Sequence, residues 1–144
     1  MKDPILETKL RLLSLQIESW KKLHDFITYA LDKAKPIISA DQERQFTDAR
    51  GVLLQESEHV FNELGILAEL SGKAMNVLQR VASLRAVRDL SPEDARRMEA
   101  DWNLVFTRLG VTQGQLKTRR KELLGRGAFA HSLLKIFGRK PAAA

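Results

Sequence analysis

The stretch LETKLRLLSLQIESWKKLHDFITYALDKA, residues 6–34, decides the fold class. Leu6, Leu10, Leu13, Ile17, Trp20, His24, Ile27, Leu31 and Ala34 recur at alternating gaps of four and three residues. A helix that repeats apolar groups every ~3.5 residues carries one narrow seam along its length, and that seam must lie against other helices. At about 1.5 Å per residue the rod is roughly 45 Å long. The expectation is an all-α protein: an elongated antiparallel bundle or coiled coil of three to four long helices, followed by a short amphipathic helix at the C-terminal end.

Working outward, Asp3 is placed to accept from the free amides of the first turn and Pro4 suits the first helical position. Lys33 and Lys35 favour the negative end of the helix and Pro36 stops it, which gives a first helix over 4–35. Ser39 with Gln42 sets up a capping box for the second, whose apolar row reads Phe46, Ala49, Leu53, Val60, Leu64, Leu67. Ser71-Gly72 is ambiguous, but the four-and-three spacing of Val60, Leu64, Leu67, Ser71, Ala74, Leu78 and Val81 runs straight across it. A turn has no reason to preserve that phase, so the reading favours one helix over 41–88. Its far half would have no neighbour from its own chain, and a second copy would have to cover Leu67, Ala74, Leu78 and Val81. That predicts a homodimer.

Ser91-Pro92-Glu93-Asp94 marks the next start: a capping serine, a first-position proline and two acids where the helix dipole is positive. The inward row is Met98, Trp102, Val105, Leu109, Leu116 and Leu123, running to Gly125, and a short helix over 128–137 follows. The domain reading is a helical bundle over 1–125 and a basic amphipathic helix and tail over 126–144.

The totals agree with this. The chain has 144 residues, 44% hydrophobic and 29% charged, rich in helix formers and poor in Gly and Pro, which suits one domain with one elongated core. No strand-length alternation of β-branched or aromatic residues occurs. The absence of cysteine excludes disulfides, thiolate metal sites and thiol nucleophiles and fits a reducing, cytoplasmic setting. No window approaches the ~20 apolar residues of a membrane span, and the N-terminus lacks the apolar run of a signal peptide.

Little in the chain points to catalysis, a cofactor or a small-molecule substrate. His24, His59 and His131 stand apart, and none has a serine and a carboxylate at nucleophile-and-base spacing. His24 sits in the apolar seam, where a polar residue fixes helix register. Glu56 and His59 have the Glu-x-x-His spacing of two-metal helical bundles, but those need the motif on two helices and it occurs here once. Trp20 and Trp102, at seam positions, read as core anchors.

The charge is unevenly spread. Residues 1–104 hold 15 Lys/Arg against 17 Asp/Glu, and residues 105–144 hold 9 against only Glu122. A positive region on a near-neutral body attracts polyanions, which makes an acidic protein face, an anionic membrane surface and nucleic acid the candidate partners.

Two segments carry that charge. Residues 105–124, VFTRLGVTQGQLKTRRKELL, contain Leu109, Gly110, Val111, Thr112 and Leu116 in an aliphatic-Gly-aliphatic turn followed by a threonine cap and a basic helix. This resembles the helix-turn-helix of bacterial transcription regulators. Phe106 stands where the family carries a small residue, and Arg119 where it carries an apolar one. The resemblance implies a small DNA-binding protein with Gln113, Gln115, Lys117, Arg119 and Arg120 toward the groove.

The second segment, GAFAHSLLKIFGRK over 127–140, gathers Phe129, Ala130, Leu133, Leu134, Ile136 and Phe137 within an arc of about 160° at about 100° per residue, opposite Lys135 and Arg139. In composition it resembles the C-terminal membrane-targeting helices of bacterial cell-division proteins, which implies peripheral attachment to an anionic bilayer. The favoured reading is a non-enzymatic adaptor or scaffold whose body associates with protein, itself included. Its basic end, Lys117, Arg119, Arg120, Lys121, Arg126, Phe129, Leu133 and Phe137, would contact an anionic protein or membrane surface. DNA binding through 105–124 is the alternative.

Overall fold

A computed structural model describes residues 3–66 and 68–137, with side-chain surroundings for all of these but 127–132 and 135–137. The described residues form five helices and no strand: α1 Pro4–Leu31, α2 Ala40–Glu63, α3 Ala68–Arg80, α4 Leu84–Arg88 and α5 Pro92–Phe137.

α1 starts as its sequence dictates. Asp3 Oδ1 accepts from the amides of Ile5 and Leu6 at 3.0 and 3.3 Å, and Pro4 occupies the first position. The seam is buried at Leu6, Leu10, Leu13, Ile17, Trp20 and Ile27, and Leu23, Ala30 and Gln16 widen it. Each large apolar side chain taken fully out of water contributes about 1.5–3 kcal/mol. The helix ends at Leu31, four residues before the expected end, because the Asp32 carboxylate accepts from the Ala34 amide at 3.0 Å and turns the chain. α2 opens on the expected capping box, with Ser39 and Gln42 bonding reciprocally at 3.1 and 2.8 Å.

The single helix expected over 41–88 does not form, and neither is there a turn at Ser71-Gly72, which lies within α3. The chain breaks earlier, at Gly65, whose φ of 68° is left-handed. The Gly65 amide bonds the Asn62 carbonyl at 3.2 Å and the Ile66 amide bonds the Phe61 carbonyl at 2.9 Å. That pair closes the end of α2 as a Schellman motif, with Ile66 and Phe61 both buried beside it. A second break follows Val81, and Ser83 caps α4 by accepting from the Ala86 amide at 3.0 Å. Gly65→Ala is expected to lower stability by about 1–2 kcal/mol, the cost of holding an L-residue in that conformation. The space around a Cβ there is open, so the loss is conformational, not steric. Urea unfolding with an unchanged slope reads it.

These breaks let the chain cover itself. Ala74, Leu78 and Val81 are fully buried within one chain, so the argument that a second copy must shield them falls away. Leu67 lies outside the described residues. α1 packs against α2, α4 and α5, and α3 against α2 and α5. Leu13, Trp20, Leu23, Ile27, Phe46, Leu53, Phe61, Val77, Leu78, Leu84, Met98, Val105 and Leu109 join in one core.

Three contacts set the register of α5 against α1: His24 Nε2 to Glu99 at 2.9 Å, Gln113 Nε2 to Ser14 Oγ at 3.3 Å, and Arg120 Nη1 to Glu7 at 3.6 Å. Numbers rise in one helix as they fall in the other, so the pair is antiparallel. His24, the polar residue of the seam, also stacks on Trp102 with ring centroids 3.8 Å apart. α3 runs antiparallel to α5 as well, with Lys73 and Arg80 both 4.0 Å from Asp101 and Leu70 beside Leu104 and Arg108.

Candidate functional site

α5 is one unbroken helix of 46 residues, which agrees with the helix expected from Pro92 through Gly110 but overturns its expected end at Gly125 and the alternative helix-turn-helix reading. No stop occurs at Gly125, so residues 128–137 are not a separate helix, and they do not fold back over the bundle. Nor is there a turn at Gly110, so the helix-turn-helix arrangement over 105–124 is not formed. Thr112, expected as a cap, is buried and its hydroxyl donates to the Arg108 carbonyl at 2.9 Å, the bond of a mid-helix threonine. Gln113, expected toward a DNA groove, bonds Ser14 of α1 instead. The family pattern misleads because Gly110 and Gly114, each with open space around a Cβ, are tolerated inside a helix at about 1 kcal/mol apiece.

Continuity gives α5 an overhang. Arg120 lies level with Glu7, one turn into α1, so the helix passes the start of α1 within about another turn. Residues 124–137 therefore extend about 20 Å beyond it at about 1.5 Å per residue. Leu124 and Leu133 are exposed, and Leu134, on this overhang, is 71% exposed. The side chains of Phe129 and Phe137 lie outside the described residues.

From Arg108 to Arg126 of α5 the cations Arg108, Lys117, Arg119, Lys121 and Arg126 are exposed, as is the one acid, Glu122. Arg120 is half-buried, and its ion pair with Glu7 joins side chains 40% and 37% exposed, which water screens to a small net contribution. Asp3 shares a shallow surface hollow with Arg119, Lys9 and Leu116. The five basic residues expected to act together are not on one face. Arg119 and Arg126 are seven apart and share a line with Arg108, whereas Lys117 and Lys121 stand about 140–180° around the helix at about 100° per residue.

Sequence reasoning missed Arg108, Leu104 and Val111. Leu104, 50% exposed, and Val111, 45% exposed, line an open groove of about 670 Å³ between α5 and the start of α3, with Leu70, Ala100 and Arg108. The signal was present in their spacing of seven along the helix expected to run to Gly125, but Leu104 and Val111 lie off its inward row, and that no other element covers them depends on how α3 packs.

Elsewhere the surface offers less. Glu56 and His59 are both exposed, and among the described residues no group of three or more His, Asp or Glu is arranged to hold a metal ion. No helix among them is long and apolar enough to cross a membrane. Comparison with protein-family models, with curated proteins and with solved structures gives no match.

Proposed function

We propose that this is a non-enzymatic interaction protein in which α1–α4 and the first half of α5 form a fixed base, and the second half of α5 contacts an anionic partner. The observation that carries the reading is the overhang: a helix with exposed Lys117, Arg119, Lys121 and Arg126 runs past the start of α1, and among the described residues only Arg120 of the basic group has an acid within ion-pair distance. Cations held on a rigid rod without local neutralisation present a standing positive field, which raises the encounter rate with polyanions and is screened over about 8–10 Å at physiological salt. Attachment at the cytoplasmic face of a membrane and docking on an acidic protein are both served by this arrangement.

Changing Lys117, Arg119, Lys121 and Arg126 together to Glu is expected to lower retention on an anionic matrix such as heparin by at least about 100-fold at moderate salt. Wild-type retention should itself fall steeply as salt rises. All four side chains are exposed, so helicity should be unchanged, and circular dichroism checks this. Retention that survives the quadruple change overturns the proposal.

A further inference from the structure

We infer that the anionic partner is a lipid surface, and that it is met by one lateral strip of α5 running from Leu104 to Leu133, so that the protein lies with this helix along the membrane plane. The inference rests on the proposed function and names its partner.

The strip is defined by spacing. Leu104, Arg108, Val111, Gln115, Arg119, Glu122, Arg126 and Leu133 succeed one another at steps of three, four or seven residues, the spacing of a single face of a straight helix. Each of them is exposed. The buried row Met98, Trp102, Val105, Leu109 and Thr112 lies about a quarter-turn away at about 100° per residue, so the strip flanks the bundle, bordered by α3 at Leu104 and Arg108 and by the start of α1 at Arg119. Its apolar members stand near the two ends and its arginines between and beside them. Glu122 is the one acid on it; Glu69 of α3 stands at its edge beside Lys73, and Asp3 at the start of α1 shares a hollow with Arg119 and Lys9.

Charge and apolar content together select the occupant. A second copy laid antiparallel along this face would bring Arg108, Arg119 and Arg126 of one chain against the same residues of the other with one acid on the strip, Glu122, and Asp3 and Glu69 only at its edges, so self-association is disfavoured. Nucleic acid would satisfy the arginines, but phosphate contacts give no use to Leu104, Val111 and Leu133. An anionic bilayer uses both. Leu and Val side chains enter the headgroup boundary, and Arg stems lie along the apolar layer with the guanidinium groups among the phosphates. Because α5 has no break, its amphipathic end cannot lie in the interface while the rest stands upright. If residues 128–137 lie flat, Leu104 to Arg126 are brought down with them.

The test uses the full chain with vesicles of phosphatidylcholine alone or with phosphatidylglycerol added, and measures partitioning by co-sedimentation. Two variants remove equal charge from different lines of the helix: Arg119→Gln with Arg126→Gln, and Lys117→Gln with Lys121→Gln. The expected result is partitioning onto the anionic vesicles that drops about 10-fold for the arginine pair and less than about 3-fold for the lysine pair. Leu104→Asp with Val111→Asp should also drop it by at least about 5-fold, although these residues are far from the amphipathic end. Equal losses for the two charge pairs, or no loss for the Leu104 and Val111 variant, overturn the strip. Retention on heparin or duplex DNA with no partitioning onto anionic vesicles overturns the lipid assignment and leaves the proposed function standing. No retention on any polyanion overturns both.

Discussion

Trp20→Ala is expected to lower the unfolding free energy by about 4 kcal/mol, within the range for removing a buried Trp. It should lower Tm by roughly 10–15 °C. Trp20 is fully buried at the middle of α1, in the core cluster that also holds residues of α2, α3, α4 and α5. Its indole Nε1 donates to Gln16 Oε1 at 3.0 Å, and the same oxygen accepts from Ser57 Oγ of α2 at 3.3 Å, both bonds buried. Alanine would remove the ring and leave a cavity, while Gln16 would keep its bond to Ser57. Trp20→Phe separates the two contributions: it keeps most of the volume and loses the N–H, and should cost only about 1–2 kcal/mol. Chemical unfolding of the three proteins measures the difference. If alanine costs less than about 1.5 kcal/mol, α1 is not the packed centre of the fold described above.

Arg88→Met should cost about 2–3 kcal/mol, a large effect for a residue that is not fully buried. The guanidinium reaches five main-chain carbonyls near the end of α1: Ala30 at 2.9 Å, Pro36 at 2.8 Å, Asp32 at 3.3 Å, and Tyr29 and Lys35 at 3.4 Å. The first two are the short ones, and the exposed bonds are discounted because water can replace them. The last carbonyls of a helix lack partners within it and carry its negative end, so a cation fixed there stabilises them twice over. Methionine keeps the aliphatic stem and removes every donor. Arg88→Lys retains the charge but not the planar fork, and should recover no more than about 1 kcal/mol of the loss. Thermal unfolding, with amide exchange over residues 32–38, reads both variants.

What could be read in the chain and what could not differ by the range of the information. The start of α1 at Asp3-Pro4, the Ser39–Gln42 box and the start of α5 at Ser91-Pro92 depend on groups within four residues of one another, and each was legible. The break between α2 and α3 was also local, written in Gly65 after Asn62, but the reading placed any break at Ser71-Gly72, and the unbroken spacing from Val60 to Val81 spoke against that one. That phase persists because α3 turns its own row, Ala74, Val77 and Leu78, onto the same core after the break. Periodicity reports which residues face inward, not whether one helix carries them all. At the candidate site, basic character was legible, and so, from the ~100° step of the helix expected to run to Gly125, was its division between two lines; which of those lines the bundle leaves open was not, because that depends on where α1 and α3 lie. The link between His24 and Glu99 could not be found in sequence at all, since the two are 75 residues apart.

α4 is only five residues long, and a single turn cannot sustain its own hydrogen bonds in water. Its leading amides, Leu84 and Arg85, are taken by the Glu43 carboxylate of α2 at 3.2 and 2.8 Å, and its last residue is the Arg88 that grips α1. The turn therefore exists only where the two longer helices already lie side by side. It acts as a latch across the α1–α2 hairpin, and mutations in it are expected to speed unfolding more than they slow folding.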